Sequence, residues 1–156
     1  MPSAPSAAAR RRIEALRRRG VAVRAVAGDV ADADAWRFLG EGGPPIRGVV
    51  HAAGVTDDVT LARQDGPRLR RLLRPKADGA VRLVRSLEGT DLDFLLFFSS
   101  GSALMGSAGQ AGYAGANAFL DGYARTLRAS GRPATSIGWG PWEGGMVTPA
   151  LKAHFE

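Results

Sequence analysis

Apolar positions along the chain follow two alternating rhythms. Residues 7 to 19 carry Ile13 and Leu16 among Ala and Arg, with Ser6 placed to cap the start and Gly20 just past the end, so the chain opens with a predicted helix. VAVRAVAGDV, residues 21 to 30, alternates and is rich in valine; it reads as a strand closing on Gly28-Asp29, and residues 31 to 39 read as a short helix. IRGVVHAAGV, 46 to 55, is a second strand pattern ending in small residues, and a Leu/Arg period from Pro67 to Leu87 is helical. DFLLFFSS, 93 to 100, is an unbroken apolar run of the kind found in a parallel strand buried on both faces. A Gly/Ser/Ala loop then leads into a helix from about Gln110 to Ser130, which Gly131 ends. ATSIGWGPW, 134 to 142, gives a fourth strand with a Gly-Pro exit, and 147 to 156 fit a short helix.

Strands and helices alternating in this way predict an α/β fold, a doubly wound, mainly parallel, Rossmann-like sheet with helices on both faces. Ligands of such sheets bind at the carboxyl ends of the strands, where this sequence places Gly28-Asp29-Val30, His51-Ala52-Ala53-Gly54, Ser99-Ser100 and Gly140-Pro141-Trp142. The chain holds no GxGxxG turn of the sort that lets backbone approach a pyrophosphate. With the usual strand order 3-2-1-4-5-6, the strand at 21 to 27 takes third place. The expected fold is then incomplete: it lacks the first two strands and the glycine-rich turn, and nothing stands between its third and fourth strands.

Length and composition narrow the picture. A chain of 156 residues, 45% hydrophobic, makes one core rather than two. No apolar run approaches the roughly 18 residues that span a bilayer, and the arginine-rich start lacks the apolar centre of a signal peptide, so a cytoplasmic, membrane-free protein is expected. With no cysteine and only His51 and His154, no metal site is expected. The net charge of +6 includes Arg10-Arg11-Arg12 and Arg17-Arg18-Arg19, but no aromatic residues sit among them to stack bases, so no nucleic-acid partner is expected. A basic surface would suit an anionic cofactor or a phosphorylated carrier arm. Of 21 basic residues only Lys76 and Lys152 are lysines, which makes a lysine at 76 conspicuous.

Four polar residues suit one chemistry. Tyr113 and Asn117 are four apart on a predicted helix and share a face. Ser100 ends a buried strand, and Lys76 lies in the helical segment before it. Hydride arriving at a ketone carbon leaves charge on the oxygen, which needs a proton donor and hydrogen-bond support. Tyr113 can give that proton, and a neighbouring ammonium from Lys76 would favour the phenolate left behind. Ser100 would hydrogen-bond the carbonyl, and Asn117 would orient Lys76 or a water that replenishes the tyrosine proton.

At this point a family resemblance enters. FFSSGSALMGSAGQAGYAGANAFLDGYA (97 to 124), HAAG (51 to 54), RPKADGA (74 to 80) and WGPWEGGM (139 to 146) resemble the ketoreductase domains of type I polyketide synthases, within the short-chain dehydrogenase/reductase superfamily. The general superfamily carries YxxxK; here Tyr113 is followed by Asn117, with Lys76 upstream, which is the exchange that synthase ketoreductases show. The resemblance makes residues 1–156 a partial ketoreductase domain, truncated at its N-terminus. It implies NADPH bound by Asp29, Val30, His51, Ala52, Ala53, Gly54, Lys76, Ser99, Tyr113, Gly140 and Pro141, with Asp29 on the adenine. It also implies an acyl-carrier protein bearing a phosphopantetheine-bound β-ketoacyl chain, and other synthase domains as partners. Thr56-Asp57-Asp58 stands where B-type enzymes carry LDD, and Met105 where A-type enzymes carry tryptophan. Asp58 and Met105 are thus the expected stereocontrol positions, favouring B-type reduction to a D-hydroxyl. The tail GGMVTPALKAHFE is similar to ketoreductases of iterative enediyne and polyunsaturated-fatty-acid synthases.

Plainer readings stand beside these. Ser99 and Ser100 would equally satisfy backbone groups at a strand end, Asp29 would cap the helix at 31 to 39, and His51 would be a packed strand-end residue rather than a base. At the level of the whole chain, the alternatives to a working domain are a catalytically incompetent fragment of one and a free-standing reductase of a small ketone.

Overall fold

The computed structural model describes residues 5–40 and 42–142. Helix α1, Ala7–Arg18, starts where Ser6 accepts a hydrogen bond from the Ala9 amide at 3.2 Å, as the sequence predicts. The sheet is built from β1, Gly48–His51, β2, Phe94–Ser100, and β3, Ala134–Trp139, all parallel and in the order β1-β2-β3. Gly48 pairs with Phe94, whose ring lies over the glycine where a Cβ would come within 2.1 Å of it, so a larger residue there would have to turn the exposed ring aside.

Residues 21 to 29 correct the sequence reading, since none of them joins the sheet. A strand is a pairing, and alternation of valines supplies a surface but no partner. In the doubly wound order the third strand is separated from the fourth by two others, and β1-β2-β3 correspond to places four to six. The segment instead runs past α1, where the Arg17 guanidinium donates to the Val23 carbonyl at 2.9 Å. The helix predicted at 31 to 39 is a 3₁₀ helix, Ala33–Gly40.

Between β1 and β2 the long helical stretch is not one regular helix. It consists of α2, Gly66–Leu73, a π turn, Arg74–Asp78, and α3, Gly79–Ser86. Pro75 lies inside it, has no amide to donate and clashes with the carbonyl four residues back, which a wider π turn relieves. After β2 come a one-turn helix, α4, Ser102–Met105, and the long helix α5, Ala111–Ala129, after which Gly131 turns the chain at φ +85°.

Helices α3 and α5 cover one face of the sheet. Leu83, Val84 and Leu87 pack with Leu120, Ala124 and Leu127 over Leu95, Phe97 and Ala134. Burial of the Phe97 ring alone stabilises the fold by roughly 1.5–3 kcal/mol. β2 was expected to be buried on both faces, and here the structure differs. Leu95, Phe97 and Ser99 are buried, whereas Leu96, Phe98 and Ser100 on the other side are half-buried and Phe94 is exposed. Among the described residues that second face is covered only in part, by packing of Phe98 with Trp139 and Trp142. The short helix predicted at 147 to 156 lies outside the described residues.

Candidate active site

The π turn places a charge inside the protein. Lys76 is 3% exposed, and its Nζ donates to the Phe98 carbonyl of β2 at 2.8 Å. A Cβ on Gly54 would come within 2.9 Å of Lys76 Cε, so the chain leaving β1 passes directly against the lysine stem. Burial pulls the Lys76 pKa down to about 8, opposed by the charge of Asp121 on α5. The Nζ stands 5.9 Å from the centre of the Tyr113 ring. Lys76 and Tyr113 are therefore neighbours, at the carboxyl end of the sheet.

The residues flanking Lys76 anchor the same turn. Arg74 donates from Nε to Asp29 at 3.2 Å and from its other arm to Asp32 at 2.5 Å. The His51 ring is buried at the end of β1, beside the Pro75 backbone and edge-on to Phe97. Burial, with the Lys76 charge adding to it, drives the His51 pKa down to about 4, so the imidazole is neutral. His51 is packed at the end of β1, as either reading of it requires.

Asn117 is fully buried one turn beyond Tyr113, and its side-chain amide donates to the Tyr113 carbonyl at 2.8 Å. Among the described residues it makes no bond to Lys76. Its Oδ1 is buried without a protein partner. Ser99 points to the helix side and donates to the Asn117 carbonyl at 3.2 Å, a structural bond. Ser100 points to the other side, where its Oγ accepts from the Ser102 amide at 3.2 Å and the Ser102 hydroxyl at 3.0 Å.

At the rim, the buried side chain of Gln110 donates to Asp58 at 3.1 Å, and Val59 donates its amide to Gly109 at 2.8 Å. The loop bearing Asp58 is thus held to the start of α5, three residues before Tyr113. An Arg68–Asp57 ion pair at 2.6 Å anchors the same loop to α2. Met105 is 80% exposed on α4. Asp29 accepts from the Ala31 amide at 2.9 Å, in the turn ahead of the 3₁₀ helix that starts at Ala33, and this bond with the Arg74 contact lowers its pKa. The Val30 carbonyl accepts from the Trp36 indole at 3.0 Å, while Ala52, Gly140 and Pro141 are exposed and Ala53 and Gly54 half-buried.

Sequence reasoning missed Gln110, Arg68 and Arg74. Only Pro75 carried a signal, as a proline inside a helical pattern. An ammonium has three donors and Lys76 uses one on Phe98, so two donors, with the buried and unpartnered Asn117 Oδ1, are open to a ligand bearing hydroxyl groups, a set with which a nicotinamide dinucleotide is compatible.

Comparison with known proteins gives a consistent set of matches. A family model described as the KR domain matches residues 2–144. The polyketide synthase GfsB of Streptomyces halstedii is 47% identical over 124 residues, 76% of this chain and 2% of that protein. The phthioceranic/hydroxyphthioceranic acid synthase of Mycobacterium tuberculosis (strain ATCC 25618 / H37Rv) is 42% identical over 142 residues, 88% of this chain and 7% of that protein. A solved ketoreductase from the first module of phoslactomycin biosynthesis in Streptomyces sp. HK803 superposes with a TM-score of 0.88 at 41% identity, covering 96% of this chain and 36% of that one. A solved A-type ketoreductase from a modular polyketide synthase gives 0.91 at 37% identity, covering 96% and 33%.

Proposed function

Because the chain belongs to the KR domain family, the ketoreductase domains of polyketide synthases, we propose that it reduces the β-keto group of an acyl chain carried by phosphopantetheine on an acyl-carrier protein within such a synthase. The proposed cofactor is NADPH, which supplies hydride to the β-carbon. The observation that carries this reading is the pairing of buried Lys76 with Tyr113 at the carboxyl end of the sheet.

The chain's own residues divide the remaining work. Tyr113 gives its phenolic proton to the carbonyl oxygen as negative charge gathers there. The Lys76 ammonium faces the Tyr113 ring, and its two remaining donors would hold ribose hydroxyls of the cofactor. Ser100 donates a hydrogen bond to the same oxygen. Asn117 holds the backbone of Tyr113 in place through the 2.8 Å bond to its carbonyl. The proposed dinucleotide would lie against the 51–54 segment and Gly140-Pro141, which follow the ends of β1 and β3, and against Asp29, which Arg74 ties to the Lys76 turn, and its neighbour Val30.

For stereochemistry, the proposal is B-type reduction to the D-hydroxyl. Its support is Asp58, fixed by Gln110 beside the start of α5, together with Met105 in place of a rigid tryptophan at the exposed rim. Incubation with a β-ketoacyl thioester and NADPH carrying deuterium at both C4 positions tests the reading. Deuterium at the β-carbon of a D-hydroxy product is expected; an unlabelled or unreduced thioester contradicts the function, and an L-hydroxy product contradicts only the B-type assignment.

A further inference from the structure

Ser100 receives two hydrogen bonds from a second serine two residues on. A serine hydroxyl has one proton to give and two lone pairs to receive. On Ser100 both acceptor sites are filled from Ser102, by its amide at 3.2 Å and by its hydroxyl at 3.0 Å. The amide bond alone would be an ordinary turn at a strand end and would leave the Ser100 proton two directions to choose from. With the second bond only one direction remains. An incoming hydrogen bond also polarises the hydroxyl that accepts it, making it a better donor.

Local geometry brings this about. Gly101 is a single residue between the two serines, and Ser102 is the first residue of α4, so its amide is one of the helix donors with no partner inside the helix. Both hydroxyls are half-buried, which limits competition from water.

We propose that Ser102 is a positioning residue for carbonyl reduction: by filling both acceptor sites of Ser100 it commits the Ser100 proton to the substrate oxygen. This rests on the assignment of Ser100 as the carbonyl donor, and the test separates the two. Steady-state kinetics would be measured on the full-length protein and on Ser102→Ala, Ser102→Thr, Ser100→Ala and the double Ala variant, with melting temperatures for each. Ser102→Ala keeps the amide bond and loses the hydroxyl one, so kcat is expected to fall about three- to tenfold with KM and melting temperature little changed. Threonine, which retains the hydroxyl, is expected to restore the rate. In the Ser100→Ala background the Ser102→Ala change is expected to cost nothing further, because it acts through Ser100. Undiminished turnover in Ser102→Ala, or a loss that persists in full without Ser100, overturns the proposal. Undiminished turnover in Ser100→Ala instead overturns the donor assignment beneath it.

Discussion

Lys76 donates its ammonium to the carbonyl oxygen of Phe98 at 2.8 Å, although 22 residues and a helix separate them along the chain. The bond fixes the charged end of a buried side chain against the middle strand of the sheet. The ammonium is held there without a carboxylate bonded to it among the described residues, 5.9 Å from the centre of the Tyr113 ring.

That position has a pH signature. With the Lys76 pKa lowered to about 8 by burial, the ammonium is present below that pH and lost above it. The rate of carbonyl reduction is therefore expected to decline through an alkaline limb near pH 8. Asp121 opposes the depression, so Asp121→Asn moves the limb to lower pH. A pH–rate profile that stays flat to pH 10 in the wild type would rule this out.

Close packing around the lysine gives a second expectation. A methyl group at residue 54 would stand 2.9 Å from Lys76 Cε and displace it. Overpacking of this kind costs about 1–3 kcal/mol, and Gly54→Ala is expected to lower kcat about tenfold or more while circular dichroism stays unchanged. Wild-type kcat in that variant would show that Lys76 tolerates displacement.

His51 links folding to acid. Its pKa falls from 6.5 to about 4 in the folded chain, so between these values the unfolded state binds a proton that the folded state does not. Stability is full above about pH 6.5 and declines as pH falls toward 4; at pH 5 the loss is about 2 kcal/mol. Urea midpoints measured at pH 7 and pH 5 should differ in the wild type and much less in His51→Asn. Equal sensitivity in both proteins would assign the acid response elsewhere.

Much of this arrangement is written locally. Ser6, Gly20 and Gly131 mark helix ends because caps depend on a few neighbouring residues, and the observed helices end within a residue or two of them. β2 is legible because seven of its residues form one continuous apolar and serine run. The valines of 21 to 27 mislead for the opposite reason: alternation describes a surface, while a strand needs a partner that no local pattern names. The four candidate residues came from chemistry, spacing and family resemblance; the structure sets Lys76 beside the Tyr113 ring and bonds Asn117 to the Tyr113 carbonyl, while Ser100 at the end of β2 bonds Ser102. Hidden from the sequence were the contacts across distance. Gln110 reaches Asp58 over 52 positions and Arg74 reaches Asp29 over 45, and only folding creates such pairs. The π turn was hidden too, since Leu/Arg periodicity runs on through Pro75 as if the helix were regular.

The proton donor is the centre of the proposed chemistry, and removing one oxygen tests it. Tyr113→Phe keeps the ring that Lys76 faces and deletes only the phenolic hydroxyl, so melting temperature should hold. The decisive measurement is the NADPH-dependent reduction rate of a β-ketoacyl thioester by wild type and Tyr113→Phe side by side. A drop of about 10²-fold or more in kcat is the expected result. Equal turnover in the two proteins would contradict the assignment of this site.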